Sequence, residues 1–285
     1  MFGALSAISP RNTARLGYWL FRHPSAFSYA TPEEKELVAN NAGTFEGAEA
    51  LVHDGAAGQT PVWCWNSEPG LRKVLLLHGW GGQSGLMGAF VAPLVAQGYD
   101  VVIPDLPGQG AANGRLVDTR LSVLTILELN HRFGPFHCLI GHSLGGLLAL
   151  MAAAGHDAFG GKANISRLVT INSPVSLGAV IVGLGGAIGL APRVIDQVSV
   201  LAEHDLGYGL ADTHAQLLLT RANLPVLAFH DAEDPFIPHA GSLAQLTHHA
   251  HKETQTTHGL GHIRVLEDET VIARIVEFVD HPERD

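Results

Sequence analysis

Gly141-His142-Ser143-Leu144-Gly145-Gly146 sets a serine between glycines at a point where the chain changes character. Residues 135–140 are strand-formers, and residues 147–154 (Leu-Leu-Ala-Leu-Met-Ala-Ala-Ala) read as a helix. Gly-x-Ser-x-Gly at a strand-to-helix junction predicts a turn too tight for a Cβ at either glycine. It forces the serine into a strained conformation and lifts its hydroxyl above the sheet edge as a nucleophile. A serine hydroxyl is a weak nucleophile at neutral pH. It needs a base within hydrogen-bond reach, and the base needs a third group to fix its tautomer.

Those partners must lie where strands of a parallel sheet end, because side chains converge there. That constraint prunes the 17 histidines of the chain. His262 lies in Thr257-His258-Gly259-Leu260-Gly261-His262, a glycine-bearing loop between the last strand and the last helix. His258 is its rival, and the reach that Gly261 gives favours His262 as the base. Asp231, Glu233 and Asp234 follow the strand ending at His230. Asp234 precedes Pro235-Phe236-Ile237-Pro238, which stiffens its loop, whereas Asp231 reads as a turn residue, so Asp234 is the expected acid. An oxyanion hole then needs two backbone N–H donors. Leu144, after the nucleophile, and Trp80, in His78-Gly79-Trp80-Gly81-Gly82, are the expected pair.

The elements that must position these residues follow from patterning. The chain has 285 residues, of which 46% are hydrophobic and 15% charged, enough for one large domain with a buried core. The N-terminal 43 residues read as a helical arm, with a capping box at Thr31-Pro32-Glu33-Glu34. Residues 45–53 and 61–66 read as strands with a turn at Asp54-Gly55, and the apolar run Val74–Leu77 as a strand buried on both faces. A βα rhythm then continues through strands at 100–104, 135–140 and 168–171. It resumes at 225–230 and 252–257, with helices near 240–250 and from 268. It breaks at about 175–222. There Ser173–Pro192 carries no charge and glycines at 178, 183, 185, 186 and 189, and reads as a lid with an apolar underside rather than a membrane span.

A formal net charge of −10 excludes a phosphate-neutralising nucleic-acid surface and disfavours anionic membranes. Cys64 and Cys138 read as buried, reduced packing residues. With no signal-peptide pattern, the expected location is cytoplasmic. His248, His249 and His251 read as a solvated helix end and not a metal site, and Trp19, Trp63 and Trp65 as core or N-terminal packing residues. His142 is expected to point away from the serine, into packing or a structural hydrogen bond.

Together, His78-Gly79-Trp80, Asp105-Leu106-Pro107-Gly108-Gln109-Gly110, the Ser143 turn, His230 to Pro235 and Gly259 to His262 resemble the α/β-hydrolase superfamily from about residue 45 onward. Gln109 stands where that family usually has histidine, in a loop that is mostly architectural. The resemblance implies the α/β-hydrolase fold: one domain over 1–285, a mostly parallel central sheet with flanking helices, and the lid after the sixth strand. It further implies a bacterial serine esterase- or lipase-like hydrolase, with acyl transfer to water through Ser143, His262 and Asp234. No cofactor and no metal are expected, and the expected partner is a small or medium apolar ester. Thioesters, lactones, carbon–carbon bonds and perhydrolysis fit the same residues, as does a non-catalytic ligand-binding version of the fold. The oligomeric state is not legible in the sequence.

Overall fold

The structure, a computed structural model, describes residues 9–24, 31–112, 116–239 and 252–281. Val74, Leu75, Leu76 and Leu77 lie on β3 (Lys73–Leu77) with no solvent exposure. Side chains alternate across a strand, so Leu75 and Leu77 enter the core on one face and Val74 and Leu76 the core on the other. Around β3 the described residues form an eight-stranded sheet in the order β1-β2-β4-β3-β5-β6-β7-β8. The other strands are β1 (Glu49–Gly55), β2 (Gly58–Trp65), β4 (Asp100–Pro104), β5 (Phe136–His142), β6 (Ile165–Ile171), β7 (Val226–Asp231) and β8 (Lys252–Thr257). β1 pairs with β2, and β2 with β4, antiparallel; every other pair is parallel. The turn between β1 and β2 falls at Ala56-Ala57, not at Asp54-Gly55, because the ladder extends to the Gly55–Gly58 pair.

The helices follow their local signals. The N-terminal arm contains α1 (Pro10–Arg22) and α2 (Pro32–Asn40). α2 opens on the expected capping box, in which the Glu34 N–H donates to Thr31 Oγ1 at 3.1 Å and the Thr31 N–H donates to Glu34 at 2.7 Å. α3 (Val91–Ala96) follows a 3₁₀ turn, and α4 (Thr119–Phe133) is capped by Asp118. α5 (Leu144–Ala154) is buried along its whole length and packs against β5 and β6. α9 (Glu269–Asp280) is capped by Asp268. The helix expected near 240–250, with His248, His249 and His251, lies outside the described residues. Cys64 and Cys138 are buried and unpaired, and burial pushes the Cys64 thiol up to about 12.

Between β6 and β7 the chain forms α6 (Leu177–Ala187), α7 (Pro192–Leu206) and α8 (Ala215–Ala222). α1 lies across this insertion, so closely that a Cβ on Gly17 would come within 2.9 Å of Leu190. Arg22 at the end of α1 pairs with Asp205 at 2.7 Å and Asp118 at 3.1 Å. No described helix is long and apolar enough to cross a membrane. Trp65 packs in the core, with its indole N–H on the Thr44 carbonyl, but Trp19 is 46% exposed and stacks on His23. Trp19 is therefore not a core residue, since α1 turns its Thr13, Ala14 and Gly17 face inward instead.

The glycines around Ser143 fit the tight turn. A Cβ on Gly141 would lie about 2.5 Å from the backbone of Gly145 and Gly146, and one on Gly145 would run into the carbonyls of Leu77 and His78. A Cβ on Gly43 would meet nothing within 4 Å. Gly145→Ala should therefore lose about 2–3 kcal/mol in urea unfolding, while Gly43→Ala stays within about 0.5 kcal/mol of wild type. Equal losses would contradict this reading of the turn.

Candidate active site

Ser143 joins β5 to α5 at φ +51° and ψ −126°, a sparsely populated region for a residue with a Cβ. Backbone bonds on both sides hold it there: its N–H donates to the Ile171 carbonyl at 2.8 Å, and its carbonyl accepts from Gly146 at 3.1 Å. Leu144 follows as the first residue of α5. The loop after β3 comes down on the serine at Gly79, where a Cβ would stand 2.9 Å from Ser143 Cβ and 3.4 Å from Oγ. Trp80 is the next residue, so both expected oxyanion donors belong to segments that abut the serine.

That loop is fastened by its neighbours. His78 is fully buried; its Nε2 accepts from the Leu106 N–H at 3.0 Å, so the proton sits on Nδ1, which donates to the Gly79 carbonyl at 2.8 Å. Burial lowers the His78 pKa and keeps the ring neutral. Gln109 Oε1 accepts the Gly81 N–H at 2.6 Å, and Asp105 accepts from Ser84 and Ala111 at 2.7 and 2.6 Å. The 105–111 loop is thus a brace for the 78–84 loop, and Gln109 fills the position where the resembled family carries histidine.

His262 and Asp234 come together at the ends of β8 and β7. His262 Nδ1 donates to Asp234 Oδ2 at 2.6 Å, with the Asp234 side chain fully buried and that of His262 11% exposed. Asp234 Oδ1 accepts from the N–H groups of Phe236 and Ile237 at 2.8 and 3.0 Å. Burial pushes the Asp234 carboxyl up. The His262 hydrogen bond and charge, with those two N–H groups, outweigh it and hold the carboxyl below the usual range. The rivals sit elsewhere. His258 is 72% exposed and faces Glu233. Asp231 accepts from Glu233 N–H, Thr257 Oγ1 and Leu260 N–H at 2.9–3.0 Å, so it organises the loop that carries His262.

Two residues not assigned to the site by sequence reasoning also reach it. His142 and Asn172 donate to backbone carbonyls of the His262 loop. His142 makes the structural hydrogen bond expected of it, and its ring lies against that of His262, 4.7 Å between centroids. Asn172 gave no signal beyond its place after a strand. Among the described residues no cluster of histidine, cysteine or carboxylate side chains could hold a metal.

Trp80 also floors a cleft bounded by Leu20 and Phe21 of α1 and by Ile181, Ile195 and Val198 of the insertion. Its indole N–H donates to the Phe21 carbonyl at 2.9 Å. The cavity measures about 30 Å³. That is room for about two or three water molecules, far below the roughly 300–1,000 Å³ of ligand pockets. In this arrangement α1 and the insertion line it.

Comparison with known proteins agrees with this topology. Residues 73–187 match the family model described as alpha/beta hydrolase fold. The chain is 35% identical over 105 residues to a pimeloyl-[acyl-carrier protein] methyl ester esterase of Edwardsiella ictaluri, covering 36% of this chain and 37% of that esterase. It is 28% identical over 246 residues to a thermostable monoacylglycerol lipase of a Bacillus species, covering 78% of this chain and 94% of the lipase. Among solved structures, Est1E of Butyrivibrio proteoclasticus with bound ferulic acid superposes with a TM-score of 0.61 at 18% identity, covering 81% of this chain and 96% of that one. Sheet order, the serine turn between β5 and α5, and the family-model match together make this chain an α/β-hydrolase-fold protein.

Proposed function

We propose that the chain is a serine hydrolase that cleaves carboxylic esters through Ser143, His262 and Asp234. The observation that carries this reading is the 2.6 Å pairing of His262 Nδ1 with a buried Asp234, on loops at the sheet edge where Ser143 stands strained. Because Asp234 engages Nδ1–H, the other ring nitrogen is left to take a proton. In the proposed reaction His262 Nε2 removes the Ser143 proton as Oγ attacks the acyl carbon. Leu144 and Trp80 N–H stabilise the tetrahedral oxyanion, with the Leu144 donor helped by its place at the start of α5. Protonated His262 then gives its proton to the leaving alcohol. Water, deprotonated by the same nitrogen, attacks the acyl-enzyme and releases the acid.

The cleft floored by Trp80 supports an apolar acyl group, since side chains of α1 and the insertion line it. At about 30 Å³ it admits such a group only after those helices part, which gives the insertion the role of a lid. The relatives named as an esterase and a lipase support ester chemistry. Thioester and lactone hydrolysis are the competing reactions, and a non-catalytic binder is the competing class.

Turnover of p-nitrophenyl esters of increasing acyl length, with a thioester and a lactone alongside, separates these. Ser143→Ala and His262→Ala should each lose at least about 10⁴-fold in kcat/KM. Asp234→Asn should lose about 10²–10⁴-fold and lower the melting temperature less than Asp231→Asn does. Asp231→Asn should lower the melting temperature while its folded fraction keeps more activity than Asp234→Asn. The acid assignment fails if Asp231→Asn is the less active once corrected for folding. No turnover of any substrate by wild type leaves the binder reading.

Asp234 also ties stability to pH. Its folded carboxyl lies below the usual value, so its contribution is full above about pH 4 and is lost as pH falls through the folded value. The stability gap between wild type and Asp234→Asn should therefore narrow as melts are taken from pH 5 down to pH 3. A gap that does not change with pH would show that the His262 pairing contributes nothing to the fold.

A further inference from the structure

The backbone carbonyl of His262 is gripped by two side chains that the proposed reaction does not consume. His142 Nε2–H donates to it at 2.8 Å. Asn172 Nδ2 donates to the Gly261 carbonyl at 2.9 Å and to the His262 carbonyl at 3.3 Å. Both donors are buried, His142 at 2% exposure and Asn172 at 0%.

Each comes from an element that also fixes another part of the site. His142 is the residue before Ser143, so the turn that strains the serine carries the donor to the histidine loop. Asn172 follows β6 at φ +47°, a left-handed conformation in which asparagine is one of the few tolerated side-chain-bearing residues. Its N–H donates to the Phe229 carbonyl at 2.9 Å, and its Oδ1 accepts the Asp231 N–H at 2.8 Å. One amide therefore ties the end of β7, which leads into Asp234, to the loop that carries His262.

The His142 ring can serve as a fixed donor. Since a carbonyl accepts from Nε2, that nitrogen holds the proton, and Nδ1 has no hydrogen-bond partner among the described residues. Burial, and then the charge of His262, lower its pKa to about 3, so it stays neutral through the neutral range. The ring is also a wall. It stands 4.7 Å from the His262 ring on one side, while Phe236 meets His262 edge-on at 5.2 Å. The His262 backbone is held by two donors and its ring by two neighbours.

We propose that His142 and Asn172 are positioning residues for His262, holding its backbone so that Nδ1 meets Asp234 while the other ring nitrogen is presented to Ser143. The proposal rests on the reading of His262 as the base. Neither residue touches the substrate or transfers a proton; a loop displaced by about 1 Å is what their loss would cause, and such a shift costs about 10²-fold in rate.

Removing the His142 donor while keeping an apolar wall tests this. His142→Leu should lower kcat for p-nitrophenyl esters by about 30–100-fold with KM within about twofold of wild type. His142→Gln, whose amide can donate to the same carbonyl, should recover most of that loss. Asn172→Asp keeps the acceptor for the Asp231 N–H but removes the donor, and should also lower kcat with KM held. The second readout is independent of turnover: the low-field proton resonance of the His262 Nδ1–H bonded to Asp234. It should shift or broaden in His142→Leu and return in His142→Gln. The proposal is overturned if His142→Leu keeps both kcat and the resonance. It is equally overturned if activity falls only in proportion to the folded fraction while the resonance is unchanged. If wild type hydrolyses nothing yet His142→Leu still loses the resonance, the positioning stands and the proposed reaction fails.

Discussion

A serine at φ +51° and ψ −126° persists only where its surroundings over-determine it, and much of the architecture around Ser143 serves that end. The turn is closed by contacts that leave no room for a side chain on Gly141 or Gly145. It is closed also by the Ser143 N–H bond to Ile171 on β6. That bond comes from the parallel neighbour of β5, so the strained residue is held by the sheet itself and not by its own helix alone. The same closeness brings Gly79 against the serine and so delimits where the loop bearing Trp80 can run.

The remaining parts are fastened by the same kind of bond, a side chain satisfying a loop's backbone. His78, Asp105 and Gln109 brace the 78–84 loop. Asp231, Asn172 and His142 brace the 257–262 loop. Buried loop N–H and carbonyl groups need partners, and here the partners are polar side chains at strand ends. The consequence is that the loops around Ser143 are each tied to strand ends, while the cleft beside Trp80 is lined by separate helices. α1 meets the insertion through the packing of Gly17 on Leu190 and the Arg22–Asp205 pair, and it meets the rest of the domain through Arg22–Asp118 and the Trp80 indole bond to Phe21.

How much of this was legible in the sequence depends on how local the cause is. The serine turn, the capping box at Thr31 and the strands buried on both faces are set by neighbours a few residues apart, and each is found as patterning predicts. His262 and Asp234 could be singled out because strand ends are the places where side chains converge, and the structure brings those two together. The hairpin turn slipped to Ala56-Ala57 because Asp54-Gly55 is a turn signal that strand pairing overrode. Trp19 packs on His23 within the N-terminal arm and not in the core, because which face α1 buries depends on the insertion, some 170 residues on in the chain, which meets it only in three dimensions. Asn172 was missed for the same reason: its role lies in bonds to residues 231 and 261, and an asparagine after a strand otherwise reads as a loop residue.

The central claim is that Ser143 is a nucleophile activated by His262. Intact-mass and peptide analysis after exposure to a p-nitrophenyl phosphonate, whose tetrahedral adduct a serine nucleophile retains, tests it most directly. The account predicts one adduct per chain, on Ser143, formed rapidly in wild type and only very slowly in His262→Ala. An adduct on another residue, or none on folded protein, would contradict it.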